Sequence, residues 1–183
     1  MRQRFARIEF RNAGVVVTVS DRALSVRFPM ATHVLVGPEQ VPVDSLKAQP
    51  NVRLLGSKPH ADIPAYVRHF DVCLIPYLVD GFTDHISPAK LNEYLAIGKP
   101  VVSTGLFEVR RFVADHGDVI AVADGIDGFT AKVEAALRED TPDAALRRRA
   151  VAEANSWQGK VEDMSARIES KLIEKRRARA AHR

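Results

Sequence analysis

The residues best suited to chemistry lie in one segment, DHISPAKLNEYLAIGKPVVST (84–104). A polar loop holding His85, Ser87 and Pro88 leads there into an amphipathic helix. Ser87 suits the N-cap position and Pro88 the first helical position, so unpaired backbone amides are expected at the helix start. Such amides, together with the positive end of the helix dipole, bind phosphate groups. Lys90 in the first turn would be well placed beside a bound anion.

Glu93 lies about a turn and a half into the same helix, which is expected to end at Gly98. Leu91, Tyr94 and Leu95 supply the buried stripe, so Glu93 falls beside that stripe and not opposite it. Two interpretations are open. The carboxylate is either simply exposed, or it accepts hydrogen bonds from two ribose hydroxyls of a nucleotide whose phosphates sit at the helix start.

The elements that must position these residues alternate along the chain. Runs that are apolar on both faces predict strands of a buried parallel sheet at 33–37, 51–56, 70–76, 99–104 and 117–123. Helical spacing predicts helices at 60–70, 87–98, 107–117, 125–140 and 141–155, and a final helix from Ser156. Asp127 and Thr141 are predicted N-caps, with Pro142 at the first helical position. This alternation predicts an α/β fold with a doubly wound, mostly parallel, Rossmann-like sheet. Ligands bind such sheets beyond the carboxyl ends of the strands.

The chain divides into three predicted segments. Residues 31–155 form a single Rossmann-like domain, and residues 156–183 form a C-terminal helix with a basic tail. Residues 1–30 fit poorly. The stretch GVVVTVS (14–20) can be a strand, but MRQRFARIEFRN (1–12) has neither a clean helical nor a clean strand period.

Composition limits the class of protein. The 183 residues, with 46% hydrophobic and 27% charged side chains, are typical of one soluble globular domain. The single cysteine, Cys73, lies in an apolar run, which indicates a core residue and a reducing compartment. No segment approaches the roughly 18 apolar residues of a membrane span. We therefore expect a cytoplasmic protein.

The net charge of +4 is concentrated in the tail KLIEKRRARAAHR (171–183), which has six Lys/Arg and one Glu. The tail is either a solvated helix end or a weak contact with anionic lipid at the inner membrane face. Nucleic acid is not an expected partner, because no aromatic residue is interleaved with these charges.

Three stretches carry a resemblance to a known family: NVRLLGSKPHADIPAYVRHFDVCLIPY (51–77), SPAKLNEYLAIGKPVVSTGLFEVRR (87–111) and NSWQGKVEDM (155–164). They resemble the C-terminal, donor-binding half of bacterial GT-B-fold glycosyltransferases of the family 1 or 4 type. The resemblance covers roughly residues 31–172. It implies binding of a nucleoside-diphosphate sugar for transfer to a saccharide or lipid-linked acceptor, in the biosynthesis of cell-surface polysaccharide.

The same resemblance assigns roles by position. Glu93 would bind the ribose. The backbone of Ser87, Pro88 and Ala89 would approach the diphosphate, and Lys90 would also contact the donor. The turn at Gly56, Ser57 and Lys58 would lie near the base. Many relatives place a second Glu eight residues before the ribose carboxylate, where it touches the donor sugar. Here that position is His85, which either contacts sugar or phosphate or is simply exposed. The resemblance implies no metal and no cofactor besides the sugar-nucleotide substrate, and no catalytic residue can be named.

A complete enzyme of this type also has an N-terminal acceptor domain, which this sequence is expected to lack; a separate chain would then supply it. The alternative is a stand-alone nucleotide-binding or interaction module without catalysis. A dehydrogenase is disfavoured, because no G-x-G-x-x-G follows a predicted strand. The sequence has no G-x-S-x-G elbow, which disfavours a serine hydrolase, and no cluster of metal ligands with suitable spacing, which disfavours a metalloenzyme.

Overall fold

The computed structural model describes residues 7–11, 19–39 and 42–181. The strands of this part are β1 (Arg7–Arg11), β2 (Thr32–Val36), β3 (Val52–Leu54), β4 (Val72–Ile75), β5 (Val101–Thr104) and β6 (Ala121–Ala123). The helices are α1 (Val19–Arg27), α2 (Asp44–Lys47), α3 (Ile63–Val67), α4 (Ala89–Ile97), α5 (Phe107–His116), α6 (Gly125–Glu139), α7 (Pro142–Ala154) and α8 (Trp157–Ala181). Two 3-10 turns occupy His60–Asp62 and Thr83–His85.

The sheet has the strand order β3-β2-β1-β4-β5-β6, and every neighbouring pair is parallel. The predicted α/β, doubly wound fold is therefore confirmed, and the five predicted strands correspond to β2 through β6. The order of the strands reverses between β1 and β4. In open sheets of this kind, ligands bind at such a reversal, beyond the carboxyl ends of the strands.

The strand β1 lies within residues 1–30, the segment that sequence reasoning left outside the domain. It pairs with β2 and with β4, for example Ile8 with His33 and Ile8 with Val72, so it is central to the sheet. Its sequence RIEFR alternates charged and apolar residues, which is not the pattern of a central strand buried on both faces. Of the possible strand GVVVTVS, residues 14–18 lie outside the described residues, and its last two residues begin α1.

Both faces of the sheet carry a core, which explains the apolar runs in the sequence. Along β4, Val72 and Leu74 pack on one face with residues of α1 and α6, while Cys73 and Ile75 pack on the other with residues of α3, α4, α5 and α7. All four side chains are fully buried. Cys73 is thus a core residue, as predicted.

Of the two N-caps predicted from the sequence for α6 and α7, one is confirmed and the other is wrong. The Thr141 side chain accepts a hydrogen bond from the Ala144 amide at 3.2 Å, and Pro142 is the first residue of α7. Asp127, however, is not an N-cap, because α6 already begins at Gly125 and the capping position falls on Asp124. Asp127 lies in the first turn, where a negative charge still favours the helix dipole.

The last helix, α8, presents one row of apolar side chains to solvent, with exposed fractions between 49% and 80% at Trp157, Val161, Met164, Ile168 and Leu172. A Lys160 ammonium lies 5.5 Å from the centre of the Trp157 ring. Within the part of the chain that the structure describes, no helix is both long and apolar enough to cross a bilayer.

Candidate functional site: the carboxyl edge around α4

The start of α4 lies beyond the carboxyl end of β4, as predicted, but its capping differs from the prediction by one residue. Pro88 is the N-cap and Ala89 is the first helical residue, so exposed Ser87 stands outside the helix. The reason is the extended backbone of Pro88 (ψ 108°), whose carbonyl accepts a hydrogen bond from the Leu91 amide at 2.9 Å. Proline offers no side-chain acceptor, and among the residues that the structure describes no side chain caps α4. The positive end of the helix dipole at Pro88 is therefore not occupied by a capping side chain, which favours an anion there.

Lys90 is held close to this helix start. Its side chain is buried, and its ammonium nitrogen lies 4.6 Å from the centre of the Tyr77 ring, just after β4. A cation over an aromatic face is attracted by the electron density of the ring. Burial raises the pKa of the Tyr77 phenol, so the ring stays neutral at physiological pH. The positive charge of Lys90 is thereby held beside Tyr77, just after the carboxyl end of β4.

Glu93 turns toward another loop of the same edge. Its side chain is 33% exposed, and its Oε1 lies 3.2 Å from Nε2 of His60, in the turn that follows β3. The carboxylate is therefore partly shielded and directed to the loop after β3. Simple exposure, one of the two interpretations open from the sequence, does not describe a side chain that is mostly covered and paired with His60.

His60 was not singled out from the sequence. It is separated from Glu93 by 33 residues, and no local spacing rule connects two such positions. Only its place just after the LLGSKP turn, which was expected near the base, could have marked it for attention.

The turn holding Gly56, Ser57 and Lys58 leads directly into His60. Gly56 has φ of +65°, a conformation that glycine adopts without strain, and a Cβ there would meet no atom of the described residues within 4 Å. Its carbonyl accepts a hydrogen bond from the Gly37 amide at 3.0 Å, which ties this turn to the end of β2. The structure thus brings the predicted base-region turn next to the predicted ribose carboxylate, through the His60–Glu93 contact.

His85 ends the short 3-10 turn before α4, and its side chain is exposed, like that of Ser87. The turn itself is well anchored. Asp80 accepts hydrogen bonds from backbone amides two and three residues further on, at 2.9 and 2.8 Å, and these bonds lower the pKa of its carboxyl group. Asp84 accepts a hydrogen bond at 2.7 Å from the amide of Phe107, the first residue of α5. His85 therefore lies on a well-anchored loop, and its side chain is exposed to solvent.

An ion pair lies farther along the same edge, after β5 and β6. Arg110 of α5 donates to both carboxylate oxygens of Asp124 at 2.6 Å, and to the Gly105 carbonyl at 3.2 Å. A Cβ on Gly105 would come within 2.3 Å of the guanidinium, so a larger residue there would have to displace the exposed ends of this pair. Among the residues that the structure describes, no group of three or more His, Cys, Asp or Glu side chains could hold a metal ion.

Comparison with known proteins identifies the family. Residues 5–139, well over half of the chain, match the family model described as "Glycosyl transferases group 1". The chain belongs to the group 1 glycosyl transferases. It is also 28% identical over 134 residues to the Bacillus subtilis (strain 168) protein TuaH, which is named for a glycosyltransferase role in teichuronic acid biosynthesis. That match covers 70% of this chain and 34% of TuaH.

Solved structures show the fold of this family member. HepE of Anabaena, solved with UDP and glucose, matches with a TM-score of 0.70 at 18% identity, over 92% of this chain and 48% of HepE. Sucrose-phosphate synthase of Thermosynechococcus elongatus matches with a TM-score of 0.72 at 13% identity, over 95% of this chain and 47% of that enzyme. The chain spans about half the length of these structures and has the fold of one half of a GT-B glycosyltransferase.

Proposed function

We propose that these residues are the donor-binding half of a glycosyltransferase that uses a nucleoside-diphosphate sugar. The observation that carries the proposal is the His60–Glu93 contact, because it directs the α4 carboxylate to the loop after β3 at the edge where such sheets bind nucleotides. Support also comes from HepE, which was solved with UDP and with UDP-glucose. The HepE structures make UDP the first ligand to test.

The start of α4 has the features needed to bind the diphosphate. Within the described residues no side chain caps this helix start, and the helix dipole places a partial positive charge of about half an elementary charge there. Lys90, whose ammonium lies over the Tyr77 ring, is a second candidate for binding the diphosphate. During transfer, negative charge develops on the leaving nucleoside diphosphate. Fixed donors at that point stabilise the charge without reorganising, which is an effective form of catalysis.

Glu93 is proposed to bind the ribose. An ionised carboxylate has two oxygens that together accept about four hydrogen bonds, so the contact with His60 leaves capacity for ribose hydroxyls. The backbone of Ser87, Pro88 and Ala89 is proposed to approach the diphosphate, and the exposed His85 to contact the sugar or a phosphate. The turn at Gly56, Ser57 and Lys58, which precedes His60, is proposed to lie near the base.

The acceptor is proposed to be a saccharide or a lipid-linked saccharide, held by a second domain. Positioning two reactants can lower the activation barrier by about 7–11 kcal/mol, and this contribution needs both the donor-binding and the acceptor-binding domain. We therefore expect the 183-residue chain alone to bind a nucleoside diphosphate and to transfer no sugar. Mass spectrometry of products, after incubation with sugar nucleotides and saccharide or lipid-linked acceptors, measures this directly. Sustained turnover would show that an acceptor site lies within these residues.

Isothermal titration calorimetry with UDP, GDP, ADP and their sugar conjugates tests the binding proposal. The Glu93→Gln variant should bind about 10–100-fold more weakly than wild type, because charge-assisted hydrogen bonds worth about 1.5–3 kcal/mol are lost. Glu108→Gln is the matched control. Glu108 is a partly buried carboxylate on a different helix, α5, and pairs with Arg111 at 3.4 Å. Equal affinities of wild type and Glu93→Gln would refute the ribose assignment.

A further inference from the structure

The His60–Glu93 contact is held in place by the core beneath it. His60 lies three residues before buried Ile63, and Glu93 lies between buried Leu91 and Tyr94. Ile63, Leu91 and Tyr94 belong to one core cluster that packs α3 against α4. The two backbones are therefore kept at a constant separation, and the side chains meet above the core at 3.2 Å.

We propose that His60 is a positioning residue, which holds the Glu93 carboxylate in the orientation that binds ribose and so makes the site selective for ribonucleotides. The inference rests on the proposed function and deepens it. His60 acts through Glu93 and need not touch the nucleotide.

The physical reason lies in the freedom of the glutamate side chain. Glutamate has three rotatable bonds, and ordering them on ligand binding weakens the affinity. A carboxylate that is already hydrogen-bonded to a neighbouring imidazole has lost part of this freedom before the ligand arrives. His60 is itself anchored at its backbone, since Pro59 precedes it and the Pro59 carbonyl accepts a hydrogen bond from the Asp62 amide at 3.0 Å.

The location of the contact adds to this effect. The His60 side chain is 74% exposed while that of Glu93 is 33% exposed, so water reaches the imidazole more freely than the carboxylate. A bound nucleoside would cover the pair and exclude part of that water. The hydrogen bond is then stronger in the complex than in the free protein, because electrostatic interactions strengthen as the local dielectric constant falls.

The experiment measures nucleotide affinity by calorimetry in wild type, His60→Ala and His60→Gln, using the tightest binder among UDP, GDP and ADP together with its 2′-deoxy counterpart. His60→Ala should bind the ribonucleotide about three- to tenfold more weakly, as expected for one lost hydrogen bond. The 2′-deoxynucleotide should be affected less, so selectivity for ribose falls. His60→Gln, whose amide can donate to Glu93, should recover part of the loss. His69→Ala is the control, because His69 is an exposed histidine just after α3.

A double-variant cycle with Glu93→Gln separates positioning from direct contact. If His60 acts through Glu93, His60→Ala should change affinity little in the Glu93→Gln background. An equal loss for both nucleotides, or an undiminished loss in the Glu93→Gln background, would overturn the proposal in favour of a direct contact with base or phosphate. Unchanged affinity in His60→Ala would overturn it as well. The absence of any nucleotide binding by wild type would instead refute the proposed function, and this inference with it.

Discussion

Gly98 follows the last residue of α4 and lies against α7. Replacing it with alanine tests how closely α4 packs on α7, through the change in the free energy of unfolding. Gly98 has φ of +83° and ψ of 18°, so alanine there would adopt the left-handed conformation at a cost of about 1–2 kcal/mol. Its Cβ would also lie 3.2 Å from the Ala145 carbonyl oxygen and 3.3 Å from the Ala145 Cβ, on α7. Such crowding adds about 1–2 kcal/mol. We expect Gly98→Ala to lower the free energy of unfolding by about 2–4 kcal/mol.

Two other glycines separate the two costs. Gly56 has φ of +65° but open space around it, so Gly56→Ala should show only the conformational cost of about 1–2 kcal/mol. Gly81 has neither a positive φ nor a neighbour within 4 Å, so Gly81→Ala should change stability by no more than about 0.5 kcal/mol. Urea denaturation, followed by circular dichroism, gives all three values. A Gly98→Ala loss no larger than that of Gly56→Ala would refute the close packing of α4 on α7.

Three further predictions concern separate features. Thr141→Ala should destabilise the protein by about 1 kcal/mol in urea denaturation, because the α7 cap is lost; an unchanged midpoint would contradict the cap. Burial lowers the pKa of His33 below its ordinary value of about 6.5, so the unfolded chain takes up a proton more readily and stability should fall as the pH drops below that value. His33→Leu should reduce this pH dependence of stability. The same dependence in wild type and variant would show that His33 is not its cause. The basic tail 171–183, with its six Lys/Arg, should give salt-sensitive binding to anionic vesicles at about 1 kcal/mol per charge; equal co-sedimentation with neutral vesicles would rule this out.

Sequence reasoning succeeded where local pattern and burial agree. β4 is apolar along its whole length because both of its faces are covered, so it could be assigned without knowledge of the rest of the fold. The end of α4 at Gly98 and the cap at Thr141 follow from single residues whose backbone or side-chain preference is strong. These features depend on few residues close together in the chain.

The missed features depend on tertiary structure. β1 shows an alternating pattern, and its central place follows only from pairing with β2 and β4. The start of α4 was misplaced by one residue because the fixed φ of proline is compatible both with the first helical position and with the extended backbone that Pro88 adopts as the N-cap. The folding of Lys90 over Tyr77 and the contact of His60 with Glu93 join residues far apart in the chain, and only the packed structure brings them together.

A crystal structure of the chain soaked with UDP would show directly whether Glu93 and the start of α4 bind the nucleotide. We expect ribose hydroxyls within about 2.5–3.2 Å of the Glu93 carboxylate oxygens, and phosphate oxygens within hydrogen-bond distance of the first-turn amides of α4. This expectation would be contradicted by UDP bound elsewhere, for example in the groove between β3 and α3 that is lined by Arg53 and Tyr66, with Glu93 remote from the nucleotide.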